Sequence, residues 1–593
     1  MRRAVSAAIG GRATAALRLS LPLPRSLLLH TTQRRSRAVG VSLGRRNNAS
    51  FFHSKSRDGH AEALGTAVDK EVADGSVRVS IEDIMDRRAK AGRLVALTAA
   101  YSDSDMFKGP TANKPKAKRW DHHLSPESAV REPCVLKSAA KHLKNPGLIS
   151  LGGGLPCAEY FPFESLSLRV PASPNFSEAA TRGPGGADLR IGKYDVAAGV
   201  AEYDLSIALN YGQANGSAQM TRWVTEHTEL VCDPPYADWR CALTVGSTAA
   251  LEQALRMLCR RGDGVLTEEY SFSTAIETAG PLGVRVVGVE MDGQGLLPES
   301  METVLAGWDE SSSGRRPHVL YTVPSGQNPT GATQGERRRR AIYEVARRWD
   351  VFILEDEPYY FLQMEPYQKG GSRTVEGGAV AAATMPVNDF LGGLIPSLLS
   401  MDVDGRVLRM DSFSKVVVPG SRLGWVTGSE QIIERYIRHA EVCNQGPSGF
   451  SQVILHKLLD EQWGHEGYLR WLMNLRGEYT KRRDVILGAC ETYLPRDVVS
   501  WSAPAAGMFH WLKVDHTRHP SFPQQSILEI EEDIFNRCIK KGVLVGRGSW
   551  FRAEQHKAPR DMFFRTTYAA ATPENMTEAI KRLGAAIRES YGM

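Results

Sequence analysis

The stretch "DSFSKVVVPGSRLGW", Asp411 to Trp425, places one lysine, Lys415, between a Ser-x-Ser pair and a Val-Val-Val run, with Arg422 seven residues further on. A cation beside an apolar strand ordinarily serves as a solvated gatekeeper. What stands at the ends of the other apolar runs decides whether Lys415 does more.

Six further runs share that texture with "RVLRMDSFS": "ALTVGS", "GVLTEEY", "VRVVGVEM", "HVLYTVP", "VFILEDEPY" and "RLGWVTG". Helical patterns such as "TAALEQALRMLCRR" and "GERRRRAIYEVARRW" separate most of them. Seven short apolar strands with intervening helices predict an α/β fold built on a mainly parallel seven-stranded sheet. From about residue 435, long helical patterns and then "GMFHWLKV", "GVLVGRGSWF" and "MFFRTTYAAA" predict a smaller α+β domain. The expected division is a presequence or tail at 1–57 and an arm and linker at 58–130. Residues 206–434 then form a large cofactor-binding domain, and 131–205 with 435–593 a small one. In the arm, "SVRVSIEDIMDRRAKAG" predicts a helix capped by Ser80, with Asp83 three residues on. "VPASPNFSEAATRGPGGADLRIGK" and "QKGGSRTVEGGAVAAATM" read as surface loop insertions.

The 593 residues, 42% hydrophobic and 24% charged, are enough for a large buried core. The net charge of +6 is no sign of a nucleic-acid surface. Residues 1–57 hold twelve Lys and Arg and no acid, so the remainder carries 61 bases against 67 acids. An Arg-rich, Ser-rich, acid-free N-terminus predicts mitochondrial targeting, with a cytoplasmic location as the alternative. The eight cysteines show no C-x-x-C and no metal-ligand spacing with His, so neither a disulfide framework nor a metal site is indicated. No apolar run reaches the roughly 18 to 20 residues of a membrane helix.

In a parallel sheet a ligand lies beyond the carboxyl ends of the strands. After "ALTV" come Gly246, Ser247 and Thr248, opening a helix that can receive an anion. Tyr270 follows the next run and could stack on a flat ring. Asn328 precedes Pro329, which fixes the direction of its amide. Asp356 and Tyr359 follow "VFILE", and Ser412, Ser414 and Arg422 surround Lys415 as donors for a dianion. A lysine amine, a buried acid, a ring stacker and a phosphate cradle together are what a pyridoxal 5'-phosphate site requires.

"YTVPSGQNPTG", "EDEPYY" and "DSFSKVVVPGSRLGW" resemble the fold-type I aminotransferases of the aspartate aminotransferase superfamily, over about residues 131–593. "ISLGGGLPCAEYFPF", "LNYGQANGSAQM", "LSMDVDGRVLRMDSFSK" and "EDIMDRRAKAGRL" resemble, more narrowly, the fungal aromatic and 2-aminoadipate aminotransferases. The resemblance implies Lys415 as the Schiff-base lysine and Asp356 as partner of the pyridine nitrogen, with Asn328 and Tyr359 donating to the phenolic oxygen. It implies Ser247, Thr248, Ser412, Ser414 and Arg422 around the phosphate and Tyr270 on the ring. It further implies Arg565, in "FFRTTY", on the substrate α-carboxylate, and Gly153 and Gly154 with Asn328 near the substrate. Tyr211 would reach the phosphate of the other subunit in a homodimer. The expected reaction moves the amino group of phenylalanine, tyrosine, tryptophan, kynurenine or 2-aminoadipate to 2-oxoglutarate by a ping-pong scheme. A lyase or synthase on the same scaffold remains an alternative, because cofactor contacts do not determine which bond breaks. So does a ligand-sensing transcription regulator, although residues 58–130 offer one clear helix and no helix-turn-helix pattern.

Overall fold

The seven apolar runs form the seven strands of one sheet in the computed structural model of the chain. It describes residues 79–369 and 385–593, apart from Ala140, Lys141, Leu143, Lys144, Pro146 and Ser150. The strands are β1 (Trp239–Thr244), β2 (Gly264–Glu268), β3 (Arg285–Val289), β4 (Val319–Thr322), β5 (Phe352–Asp356), β6 (Val407–Ser412) and β7 (Gly424–Ser429). Their spatial order is β1-β7-β6-β5-β4-β2-β3. β7 alone is antiparallel, to both β1 and β6. Every residue of β2, β4, β5, β6 and β7 is buried, so these strands read as apolar runs rather than alternating ones, except that β6 carries the buried pair Arg409 and Asp411.

α1 (Ile81–Ala91) lies in the arm, α2 (Ala218–Val231), α3 (Ser247–Leu258), α4 (Ser273–Leu282) and α5 (Glu336–Arg348) are among the helices of the large sheet, and α6 (Gly464–Tyr493) follows them. α1 begins with the expected cap: Ser80 Oγ accepts from Asp83 N, and the Asp83 carboxylate accepts from Ser80 N in return. Such a cap is worth about 1 kcal/mol. Arg88 then ties the arm down, through Nε to Glu226 Oε1 at 2.9 Å and through Nη2 to Asp460 Oδ1 at 2.6 Å. Arg87 pairs with Glu229, also on α2.

The C-terminal runs form the antiparallel sheet β8 (Val499–Trp501), β9 (Phe509–Val514), β10 (Gly546–Arg547) and β11 (Met562–Thr567), in the order β8-β9-β11-β10. The first insertion departs from the expected loop. Ser165–Pro171 and Gly186–Gly192 pair as an antiparallel hairpin, with a short helix, Glu178–Arg182, between them. Its first strand alternates exposed and half-buried residues, a period-two pattern outweighed in the sequence by the Pro and Gly around it. The second insertion falls largely on residues 370–384, outside the described residues, as do residues 1–57. Among the described residues no helix is long and apolar enough to cross a membrane.

Candidate active site

Strand register gathers the expected residues along one edge of the large sheet. Met410 of β6 pairs with Asp356 at the end of β5. Ser412, ending β6, pairs with Gly424, which pairs in turn with Thr244 at the end of β1. Because β7 runs backwards, Arg422 just before it meets Gly246 just after β1. The carboxyl ends of β1, β5 and β6 therefore present their polar residues side by side.

Asp356 is buried, and its Oδ2 accepts a 2.8 Å hydrogen bond from the Tyr321 hydroxyl. Its Oδ1 is buried with no partner. Burial pushes the carboxyl up to about 7; the Tyr321 hydrogen bond opposes the rise, while nearby Asp411 and Glu268 add to it. The Ser247 hydroxyl is near enough to oppose the rise slightly, but makes no hydrogen bond of ordinary geometry. A buried carboxylate with one free oxygen is an unsatisfied acceptor suited to a cationic N–H. Tyr321 is the residue that sequence reasoning misses here. A signal for it exists, since a hydroxyl on a wholly buried strand needs a partner. Tyr321 pairs with Leu354, and Leu354 shares a sheet face with Asp356.

An anion cradle lies along the same edge. Ser412 Oγ donates to Ser414 Oγ at 2.9 Å and accepts from Ser414 N at 3.0 Å. Arg422 Nη1 reaches Ser414 Oγ at 3.3 Å and the Pro419 carbonyl at 3.0 Å. α3 starts at Ser247 with no side chain capping it, leaving its first N–H groups free. Gly246, at φ +78°, makes the close approach possible: a Cβ there would sit 2.5 Å from Arg422 Nη2. Thr248, one residue into α3, is exposed.

Lys415 is half-buried beside the cradle. Its amine is held below its usual range, first by burial and then by the cations Arg422 and Arg565. A lysine so placed offers a free amine as nucleophile and base. Arg565, on β11, donates from Nη1 to Asn328 Oδ1 at 2.8 Å and lies 4.5 Å over the rings of both Phe509 and Phe551. Tyr359 is buried edge-on against Phe509, and burial, then the Asp356 charge, raises its pKa and keeps the phenol protonated.

Four expected residues stand apart. Tyr270, expected to stack on a ring, forms an isolated backbone bridge with Arg552, and its own ring packs edge-on against Trp511 and Phe563. It lines a cavity of about 1190 Å³, which Lys415, Asp356, Tyr359 and Arg565 do not border. The bridge forms after β2 has ended at Glu268, and the Tyr270 carbonyl accepts from Gln327 Nε2, beside Asn328, at 2.6 Å. Phe272, two residues on, is half-buried immediately before α4. Tyr211 is exposed, and so are Gly153 and Gly154. A Cβ on Gly153 would meet nothing nearer than Leu155 Cγ at 3.8 Å, and one on Gly154 nothing within 4 Å, so no contact within the chain requires glycine at either position.

An amine, a buried acid with one free oxygen and an anion cradle, all at the carboxyl edge of a mainly parallel sheet, define an enzyme site that handles amino groups. Residues 210–583 match the family of class I and II aminotransferases. An aromatic amino acid aminotransferase of Schizosaccharomyces pombe is 44% identical over 485 residues, 80% of this chain and 98% of that protein. An L-tyrosine:2-oxoglutarate aminotransferase of Serpula lacrymans is 34% identical over 72% of this chain and 83% of its own length. The crystal structure of aminotransferase Aro8 from Candida albicans superposes with a TM-score of 0.75 at 41% identity, covering 81% of this chain and 100% of that one. The chain belongs to the class I and II aminotransferases; it is a transaminase, acting on amino acids and 2-oxo acids.

Proposed function

We propose that the site binds pyridoxal 5'-phosphate and moves the amino group of an aromatic amino acid to 2-oxoglutarate. The observation that carries the cofactor reading is the unpartnered Oδ1 of buried Asp356, the acceptor a protonated ring nitrogen requires. The bound cofactor supplies an aldehyde that captures amines and a ring that takes up the electrons of a broken C–H bond. Asp356 holds the proton on the ring nitrogen, and Tyr321 fixes the carboxylate by its other oxygen. Ser412, Ser414, Arg422 and the start of α3, with Ser247 and Thr248, seat the phosphate. Asn328 and Tyr359 stand on the side of the site toward Arg565 and donate to the phenolic oxygen. Lys415 is the point of attachment and, once released, the base that carries a proton from the substrate α-carbon. Arg565 binds the α-carboxylate by its fork.

The substrate class rests on the relatives: one is named for aromatic amino acids and another for tyrosine with 2-oxoglutarate. The working unit is a homodimer in which Tyr211 reaches the partner's phosphate. In support, Val130, Val135, Leu136, Ile149, Leu151 and Tyr160 are all strongly exposed, an apolar surface that a second copy would cover. Residues 1–57 direct the chain to mitochondria, on their composition.

The test is a panel of amino donors with 2-oxoglutarate as acceptor, run on wild type and Lys415→Ala. Phenylalanine, tyrosine and tryptophan should yield 2-oxo acids and glutamate. Lys415→Ala should lose turnover yet retain the cofactor. Ammonia release without an acceptor would make the protein a lyase, and sustained turnover by Lys415→Ala would displace that lysine from its role.

A further inference from the structure

A second cluster of chemistry-bearing side chains lies on the arm, remote in sequence from Lys415. His122 and His123 close a short 3-10 turn, Asp121–His123, in the run "WDHH". Asp350 stands between the end of α5 at Arg348 and the start of β5 at Phe352, with φ +53°. His122 Nε2 lies 2.8 Å from Asp350 Oδ2, and His123 Nε2 lies 3.1 Å from the same oxygen. All three donor atoms fall within 4.8 Å of one another. For a tetrahedral ion with bonds of about 2.0 to 2.1 Å, ligand atoms stand about 3.3 Å apart. The two distances to Asp350 need only a few tenths of an ångström of opening to reach that spacing.

Two features make the arrangement more than a surface hydrogen bond. The His123 ring is fixed before any ligand arrives: it is buried, edge-on to Trp120 at 5.3 Å, and lies 5.1 Å from His318. His122 and Asp350 are more than half exposed, leaving the outward coordination positions to water. Arg315 is the neighbouring cation, donating from Nη2 to the His122 carbonyl at 3.3 Å, and its charge limits the affinity for a dication.

We propose that His122, His123 and Asp350 form a binding site for a divalent transition ion of the zinc class, stapling the arm to the turn between α5 and β5. Two imidazoles with one carboxylate suit zinc, nickel or copper, whereas calcium and magnesium take oxygen ligands. The ion tightens the arm against the element that ends in Asp356, and its effect is on stability rather than on the reaction. No local spacing in the sequence announces the site, because Asp350 stands 228 and 227 residues from the two histidines.

The experiment titrates zinc chloride into the purified protein in phosphate-free buffer, following heat and melting temperature, for wild type, His122→Ala and Asp350→Asn. The expected result is one ion per chain with a raised Tm, and a loss of at least tenfold in zinc affinity in each variant, about 1.4 kcal/mol. Both replaced side chains are largely exposed, and asparagine tolerates the left-handed backbone of position 350, so the variants keep their fold. Transaminase activity without zinc should be unchanged in both. Absence of saturable binding by wild type overturns the proposal. So does unaltered binding by both variants, which would assign the ion to exposed thiols such as Cys157 and Cys443 or to a phosphate group.

Discussion

Arg565 donates to Asn328 Oδ1 at 2.8 Å, so a residue of the small antiparallel sheet holds the loop that follows β4 of the large one. The guanidinium is also pressed between Phe509 and Phe551, which limits its rotation. One side chain thus fixes the amide expected at the cofactor and presents the fork expected at the substrate.

Arg565→Lys keeps the charge and loses both the fork and the bond to Asn328. Every donor and acceptor in the proposed scheme shares an α-carboxylate. kcat/KM for phenylalanine, tyrosine and 2-oxoglutarate should therefore fall together, by roughly 1.5 to 3 kcal/mol for one charge-assisted hydrogen bond. A loss confined to the dicarboxylate would instead make Arg565 the reader of the side chain.

Tyr321→Phe removes the hydroxyl that steadies the Asp356 carboxylate and leaves the ring volume in place. Without that donor the Asp356 pKa rises further and the charged carboxylate is less available. Cofactor affinity should weaken at least tenfold, about 1.4 kcal/mol, with the KM for the amino acid little changed. Equal cofactor affinity in the two proteins would show Tyr321 to be packing only.

In the cofactor-free protein Asp356 titrates near 7, above the usual value of about 3.9 for an unfolded chain. The folded state therefore keeps a proton that the unfolded state releases. The resulting stability is complete below about pH 4 and is lost as the pH climbs through 7. Asp356→Asn has no such dependence. Its stability relative to wild type should increase between pH 4 and 7.5, by up to about 4 kcal/mol. Parallel denaturation curves across that range would mean that Asp356 titrates normally.

Tyr270 lines the outer cavity, and its removal separates a wall residue from a ring stacker. Tyr270→Ala empties one wall of the outer cavity and should leave cofactor absorbance and affinity as they are. The reverse result would return Tyr270 to the cofactor ring.

Most strands of the large sheet are legible in the sequence because they are buried on both faces, so the apolar runs are nearly unbroken, Arg409 in β6 apart, and their polar ends are conspicuous. Lys415, Asp356 and the Ser412, Ser414 and Arg422 cradle are legible for the same reason. Arg565 can be placed only through resemblance, since β11 mixes buried and half-buried residues and its arginine stands within the strand rather than at its end. The hairpin at 165–192 is obscured because turn-forming residues at its tip outweigh a weak alternation in its strands. Tyr270 is the hardest to place from sequence, because a residue just past a strand end can turn either way; here its backbone bridges Arg552 and its ring packs on Trp511 and Phe563.

The grip of α1 on the body of the protein sets a limit on how far the N-terminus can be trimmed. Glu226, Glu229 and Asp460 are nearly inaccessible carboxylates, and Arg87 and Arg88 are cations that meet them. A peptidase that cuts anywhere before Ser80 leaves every one of these pairs and the Ser80 cap intact. A cut beyond Arg88 removes both cations at once and leaves Glu226 to His465, Glu229 to the Gly109 N–H, and Asp460 to Arg222 and His456. A truncation that keeps the contacts of Arg87 and Arg88 must therefore begin on the amino side of that helix.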